Sequence, residues 1–345
     1  MSTFGVLTGG GDCPGLNAAI RAIVRGLEGS GHSTIGIREG WRGLAESLVL
    51  PLDRRAVSGV LHRGGTVLGT SSYDPFREKD GVDRILAGTR ALDVHGVVAI
   101  GGEGTLRIAH RLHAEHGYPV VGVPKTIDND LVGTDVTIGF DTAVHVCTAA
   151  IDRLHTTAES HNRVMVVEVM GRHTGWIAAA SGIAGGADVV LLPEAPTPIE
   201  DVCEHVLARH ERGRDFSIVV VAEGYPLTRR TGERAAPVVR GKDRYGYERL
   251  GGIGEVVADE IARATGFETR VTVLGHVQRG GTPTARDRFL ATRLGLRAAE
   301  LASAGAWGRM ASVSGNEIVD VSLELASETR RPVPAGWIEG GRVVA

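Results

Sequence analysis

The feature that most constrains this chain is a recurring arrangement in which a short apolar run is followed by a loop. In two of its three copies, a helical pattern of apolar residues follows the loop. The first copy joins residues 4–7 through GGGDCPG to an amphipathic stretch over residues 16–27. Residues 96–100 lead through GGEGT into RIAHRLHAEHG, and residues 119–123 lead into PKTIDND. Apolar runs without polar alternation are typical of parallel strands that helices cover on both faces. The pattern predicts an α/β protein with right-handed crossovers and ligand sites at the carboxyl ends of the strands.

Further elements of the same kind follow along the chain. Later apolar runs predict strands over residues 164–169, 189–192 and 217–222. Helical spacing of apolar residues predicts helices over residues 142–155, 200–212, 254–265 and 286–302. Residues 225–252 are polar and rich in arginine without clear periodicity, which predicts a long exposed loop, with a lid or partner surface as the alternative.

Composition excludes several classes of protein. The 345 residues carry a formal net charge of −3 and 42% are apolar, so the chain lacks the basic excess of a nucleic-acid binder and resembles globular proteins. No run approaches the roughly 18 apolar residues of a membrane span. Three widely spaced cysteines without a CxxC motif predict a reducing compartment, and the N-terminus lacks the pattern of a secretory signal. We expect two domains in a cytoplasmic protein without membrane or nucleic-acid partners.

The two glycine loops suit phosphate binding, because a side chain would block the ligand and amides at a helix N-terminus attract anions. Glycine accounts for 49 of the 345 residues, about twice its ordinary usage. Neither loop matches the P-loop motif or a clean G-x-G-x-x-G, so tight turns in a sheet remain an alternative. Glu103 lies among the glycines of the second loop, where a carboxylate could hold a cation that carries a polyphosphate.

The third loop combines two acids with a lysine and a hydroxyl. Asp128 and Asp130 follow the predicted strand, with Lys125 and Thr126 just before them. A hydroxyl that attacks a phosphoryl group must lose a proton, which a neighbouring carboxylate can accept. The lysine supplies a compact positive charge for phosphoryl oxygens. The tripeptide DND by itself leaves helix capping open as the alternative role of its aspartates.

Arginines recur near the predicted ends of later strands. A guanidinium binds phosphate at two points, so several such positions in a chain of negative net charge predict a phosphorylated small substrate. Each of them alone is typical of a surface arginine. The positions are Arg163, Arg172, Arg270 and Arg279.

Six motifs in order resemble those of the 6-phosphofructokinase family, from about residue 4 to about residue 337. They are LTGGGDCPGLNAAIR, GGEGT, PKTIDND, GTDVTIGFDTA, SHNRVMVVEVMGR and GHVQRGG. NAD kinases and lipid kinases carry loops similar to GGEGT, and PKTIDND separates them from this family. The resemblance implies two doubly wound, mostly parallel-sheet domains with the active site in the cleft between them. We expect a donor-binding domain over residues 1–139, a sugar-phosphate-binding domain over 140–310, and a C-terminal segment over 311–345 that packs back on the first.

The resemblance implies a glycolytic kinase that transfers the γ-phosphoryl group of ATP to the 1-hydroxyl of fructose 6-phosphate, with Mg²⁺ as cofactor. It makes Asp128 the base, with Thr126, Ile127 and Asp130 beside it, and it makes Glu103 the residue that holds the metal. The donor site is expected to be lined by Gly11, Gly102, Gly104 and Thr105.

The sugar phosphate is expected to be bound by residues of two subunits, which requires a homodimer or homotetramer with shared active sites. By resemblance, Arg172 meets the transferring phosphoryl group, and the sugar is held by Met170, Gly171 and Glu223. The 6-phosphate is expected to bind His276 and Arg279 of one subunit and Arg163 and Arg270 of its neighbour.

Two positions bear on the choice of donor. By resemblance, pyrophosphate-using relatives carry aspartate at the position of Gly104 and lysine at that of Lys125, whereas the ATP-using bacterial enzymes have glycine at both. An aspartate at position 104 would occupy the space of the α-phosphate and repel it, so Gly104 favours ATP. Lys125 keeps pyrophosphate as the alternative donor. Ser72 replaces the family's arginine between donor and sugar phosphate, which leaves a catalytically silent sugar-phosphate sensor as a further alternative.

Overall fold

The computed structural model describes residues 1–242, 248–327 and 330–337, over which strands and helices alternate. The strands are Thr3–Gly9 (β1), Ser33–Ile37 (β2), Val49–Pro51 (β3), Gly96–Gly101 (β4), Val120–Pro124 (β5), Val164–Val169 (β6), Val189–Leu191 (β7), Ser217–Ala222 (β8), Val239–Lys242 (β9), Glu248–Leu250 (β10), Thr269–Val273 (β11), Arg309–Ser314 (β12) and Glu317–Ser322 (β13). The helices are Leu16–Gly29 (α1), Trp41–Ala45 (α2), Gly81–Ala91 (α3), Glu103–His116 (α4), Phe140–His161 (α5), Trp176–Ala184 (α6), Ile199–Glu211 (α7), Ile253–Thr265 (α8) and Ala285–Ser303 (α9). The α/β prediction is confirmed, and all six predicted strands are present.

The chain forms two compact units. The first contains residues 1–142 and 279–330, and the second contains residues 143–278 and the described residues from 331 onward. This division departs from the expected boundaries, because residues 279–310 belong to the first unit. The reason is the close packing of α9 on α1: an added Cβ at Gly26 would lie 2.7 Å from Ala299 Cβ, and one at Gly295 would lie 2.8 Å from Ala22 Cβ.

The first unit is built on a seven-stranded sheet with the order β13-β12-β5-β4-β1-β2-β3. Its five central strands are parallel, and the two edge strands β3 and β13 are antiparallel to their neighbours. Strands β4 and β5 are buried along their whole length, as their continuous apolar sequences predict. Parallel pairing brings the loops after β1, β4 and β5 to one edge of the sheet.

The second unit is built on a four-stranded parallel sheet with the order β11-β6-β8-β7. Its core includes Val166 and Val219 from the two central strands and Tyr225, which follows β8. The fully buried Tyr225 corrects the prediction of an exposed loop over residues 225–252. The antiparallel pair β9 and β10 also belongs to that segment, whereas residues 243–247 lie outside the described residues.

No helix among the described residues is long and apolar enough to cross a membrane. The three cysteines Cys13, Cys147 and Cys203 are free thiols and buried. This agrees with the absence of a disulfide framework that their spacing predicts.

Candidate active site

The two glycine loops lie side by side, because Gly9 at the end of β1 is paired with Gly101 at the end of β4. The side chain of Thr105 fills the space between them. An added Cβ at Gly9 would lie 2.5 Å from Thr105 Oγ1, and one at Gly101 would lie 2.3 Å from Thr105 Cβ. Thr105 is 5% exposed, so its side chain packs between the loops, although the resemblance makes Thr105 a lining residue of the donor site.

This packing gives a stability prediction. We expect Gly101→Ala to lower the free energy of unfolding by about 1–3 kcal/mol, because the added methyl group overpacks Thr105. Gly104→Ala is the matched control, since an added Cβ at Gly104 has no neighbour within 4 Å and alanine is favoured over glycine in a helix. Urea unfolding of both variants measures the difference. Equal stabilities would contradict the packing of Thr105 between the loops.

Helix α4 begins directly after the second loop, with Gly102 as its N-cap in an extended conformation. The first amides of a helix have no partner within the helix and attract anions. The space above Gly104 is open, because no atom lies within 4 Å of an added Cβ. This helix start therefore combines free amide donors with room for a phosphate.

Lys125 lies beneath the first glycine loop. It is 2% exposed, and its Nζ donates hydrogen bonds to the carbonyl oxygens of Gly9 and Gly11. Burial lowers the pKa of Lys125 to about 8. Its ammonium group is bound to the loop backbone, so Lys125 fixes the conformation of the loop.

The lowered pKa of Lys125 predicts a pH dependence of stability. Below pH 8 the lysine is charged in both the folded and unfolded states, and the cost of burying the charge is present in full. As pH rises from about 8 to 10.5, the unfolded chain holds a proton that the folded chain has lost, so stability increases. Relative to Lys125→Met, the wild type should gain roughly 3 kcal/mol over this interval. The free energy of unfolding of both proteins is measured by chemical denaturation at each pH. A difference between them that does not change with pH would contradict this prediction.

The third loop is fixed by the residue between its two acids. Asn129 is 2% exposed and has a φ of 52°, in the left-handed region that asparagine tolerates. Its Oδ1 accepts a hydrogen bond of 3.0 Å from Thr137 N, and Thr137 Oγ1 donates one of 2.6 Å to the carbonyl of Thr126. Thr126 Oγ1 in turn lies 3.4 Å from Asp128 Oδ2. The loop is thus held on both sides of Asp128.

Helix capping was the alternative role of Asp128 and Asp130. At the start of α5, Asp287 provides the cap. The buried carboxylate of Asp287 accepts hydrogen bonds from Gly139 N at 2.9 Å and from Thr142 N at 2.8 Å. These amides belong to the start of α5, the helix that follows the third loop. Asp128 and Asp130 are therefore not needed for this cap.

Three carboxylates lie near one another in the first unit. Burial raises the pKa of Asp130 to about 7, with further contributions from the negative charges of Asp128 and Glu103. A divalent cation would relieve this repulsion, so the residues fit Mg²⁺, with Glu103 as the residue that would hold it. Mg²⁺ commonly takes one or two carboxylates and completes its shell with water and substrate phosphates. No group of three or more His, Cys, Asp and Glu among the described residues could hold a metal ion, so the fit of Mg²⁺ depends on Glu103 with water and substrate phosphates as the further ligands.

Arg279 lies in the first unit against the first glycine loop. Its Nη1 donates a hydrogen bond of 3.2 Å to the carbonyl of Asp12, and an added Cβ at Gly11 would lie 2.6 Å from the same nitrogen. A side chain at position 11 would therefore require the guanidinium of Arg279 to move.

The second unit separates the other sugar-phosphate candidates into two groups. Arg163 precedes β6 and Arg270 lies near the start of β11, so both are at the amino ends of these strands, where they pair with Glu268. This corrects the prediction that they follow strand ends. The candidates that do follow the carboxyl ends of β6, β8 and β11 are Met170, Gly171, Arg172, Glu223 and His276.

The backbone after β6 is supported by a buried glutamine that sequence reasoning did not single out. Gln278 Oε1 accepts hydrogen bonds from Met170 N at 3.2 Å and from Cys147 Sγ at 3.1 Å. Gly171 has a φ of 144°, and an added Cβ there would lie 2.6 Å from the carbonyl of Thr174. Both residues fix the backbone next to Arg172.

The family profile described as Phosphofructokinase matches residues 3–302 of this chain. The chain belongs to the phosphofructokinase family. It is 54% identical over 339 residues to the pyrophosphate–fructose 6-phosphate 1-phosphotransferase of Streptomyces coelicolor, which covers 98% of each chain. It is 52% identical over 332 residues to the ATP-dependent 6-phosphofructokinase 3 of the same organism, which covers 96% of each chain.

A solved structure of phosphofructokinase from Saccharomyces cerevisiae is similar, with a TM-score of 0.81 and 31% identity. The match covers 95% of this chain and 45% of the yeast chain. As a member of the phosphofructokinase family, the chain is a phosphotransferase with an alcohol acceptor, which confirms the predicted class of enzyme. The two Streptomyces relatives differ in the phosphoryl donor that their names give.

Proposed function

We propose that the chain transfers the γ-phosphoryl group of ATP to the 1-hydroxyl group of fructose 6-phosphate, giving fructose 1,6-bisphosphate. The observation that carries this proposal is the third loop, where Asp128 is held between two hydrogen-bonded anchors beside Asp130, a second partly buried acid. A carboxylate fixed in this way accepts the proton of the attacking hydroxyl group. The reaction is a direct in-line displacement without a covalent enzyme intermediate.

The donor phosphates are proposed to bind at the two glycine loops, along Gly11, Gly102, Gly104 and the first amides of α4. Thr105 contributes its backbone and packs the two loops together. Mg²⁺, when bound, supplies positive charge to the donor phosphates, and Glu103 is the residue proposed to hold it. Most of the rate enhancement then comes from positioning and charge stabilisation.

Fructose 6-phosphate, the acceptor, is proposed to bind the sugar-phosphate candidates described above. Arg172 neutralises the transferring phosphoryl group, and the sugar is contacted by Ile127 and Asp130 and by Met170, Gly171 and Glu223. The 6-phosphate is bound by His276 and Arg279 and by Arg163 and Arg270 of a neighbouring subunit. Arg163 and Arg270 lie at the amino ends of β6 and β11, whereas His276 follows the carboxyl end of β11. This separation supports a site that is shared within a homodimer or homotetramer.

ATP is the favoured donor because no side chain occupies the space at Gly104. Pyrophosphate is the second candidate, favoured by the 54% identity to a relative named for that donor. Lys125, the other position that bears on the donor, has its ammonium group bound to backbone carbonyls. The buried free thiols favour a reducing compartment, and we propose the cytoplasm.

A donor comparison tests the proposal. The purified chain is assayed with fructose 6-phosphate, Mg²⁺ and either ATP or pyrophosphate, and fructose 1,6-bisphosphate is measured through aldolase coupling. We expect kcat/KM for ATP to exceed that for pyrophosphate by about tenfold or more. The reverse ratio would establish the pyrophosphate-dependent function. Binding of fructose 6-phosphate without product from either donor would establish a silent sensor.

A further inference from the structure

Arg330, the last residue of the first unit, faces acids from two different loops. Its Nη2 lies 3.6 Å from Glu103 Oε2, and its Nε lies 3.5 Å from Asp130 Oδ2. Both distances exceed the roughly 2.7–3.2 Å of a normal hydrogen bond. The side chain of Arg330 is 39% exposed. It therefore forms two loose ion pairs with acids of the second and third loops.

A second arginine on the same cluster is bound differently. Arg107 lies one turn after Glu103 on α4 and donates a hydrogen bond to Glu103 Oε1. This pair is local to the helix and leaves Glu103 Oε2 to Arg330. Arg330 comes from a segment more than 200 residues away in sequence. Of the two arginines, Arg330 is the one that forms ion pairs with both Glu103 and Asp130.

We propose that Arg330 is a built-in counter-cation that competes with the divalent metal ion for Glu103, while it also pairs with Asp130. The cluster of carboxylates needs positive charge, and a guanidinium and a metal ion bound to the same oxygen atoms exclude each other. Partly exposed ion pairs are weak, so the metal ion can displace Arg330 toward solvent. Arg330 thereby sets the metal concentration at which the donor site fills. The inference rests on the proposed function for the role of Glu103 toward the metal.

Mn²⁺ binding to the full-length protein tests this competition without requiring turnover. Free Mn²⁺ is measured by electron paramagnetic resonance during titration of the wild type, Arg330→Gln and Arg331→Gln. Arg331 is the matched control: it is adjacent and loses the same charge, but its guanidinium stacks on Trp176, with Cζ 4.4 Å from the ring centroid. We expect Arg330→Gln to lower the dissociation constant for Mn²⁺ by about three- to tenfold, and Arg331→Gln to leave it unchanged.

A second variant covers the case in which Arg330→Gln does not fold. Arg330→Lys keeps the positive charge, and its dissociation constant for Mn²⁺ should stay within about twofold of the wild type. Unchanged or weaker Mn²⁺ binding by folded Arg330→Gln, equal tightening in Arg331→Gln, or no Mn²⁺ binding to any of these proteins would overturn the inference. A wild type that binds Mn²⁺ but phosphorylates no sugar would instead overturn the proposed function.

Discussion

Asp128→Ser is expected to lower kcat by about 10²- to 10⁴-fold and to leave binding of fructose 6-phosphate nearly unchanged. The serine hydroxyl group cannot accept the proton of the attacking alcohol at neutral pH. The contacts that hold the loop pass through Asn129 and Thr137, which the substitution does not remove. Steady-state kinetics and calorimetric titration with the sugar phosphate measure the two effects separately.

Asp152→Ser is the control, because Asp152 is an exposed residue of α5 and the change in charge is the same. It should keep wild-type turnover. Full turnover by Asp128→Ser would remove Asp128 as the base. If Asp130→Ser alone abolished turnover, the base would be Asp130, whose pKa burial raises to about 7.

Gly104→Asp is expected to raise KM for ATP by about 10²-fold, because its carboxylate would stand within a few ångströms of the donor phosphates, where like charges repel strongly. The fold should tolerate the change, since no atom lies within 4 Å of an added Cβ at this position. Activity with pyrophosphate, which lacks the nucleotide's α-phosphate, should be affected less. The measurement is kcat and KM with each donor.

Two neutral variants separate charge from volume at this position. Gly104→Asn has nearly the size of aspartate, and Gly104→Ala adds one methyl group. If repulsion dominates, Gly104→Asn should lose much less ATP affinity than Gly104→Asp. An unchanged KM for ATP in Gly104→Asp would remove the argument that the open space at residue 104 accommodates the nucleotide.

Six of the nine parallel strands were predictable from the sequence, because strands buried on both faces are continuous apolar runs. Strands β12 and β13 have no such run, since RMASVS and EIVDVS mix polar and apolar residues. The division into units was not predictable, because α9 packs on a helix from the opposite end of the sequence. Helical spacing shows that such a face is apolar but does not show which partner covers it.

Within the site, the loops were predictable because glycines and acids after strands have a direct chemical meaning. The orientation of side chains was not. Thr105 belongs to the expected loop, yet its side chain packs between Gly9 and Gly101. Arg163 lies in the motif SHNRVMVVEVMGR and Arg270 lies shortly before GHVQRGG, but both are at the amino ends of their strands. Arg330 has no local signal, because its partners come from distant loops.

The central claim is most directly tested by ³¹P NMR of a mixture of purified protein, fructose 6-phosphate, ATP and Mg²⁺. We predict that the resonances of ATP give way to those of ADP while a second sugar-phosphate resonance, that of the C1 phosphate, grows in equal amount. Folded protein that leaves ATP unconsumed, or that places the new phosphate on another carbon, would contradict the account.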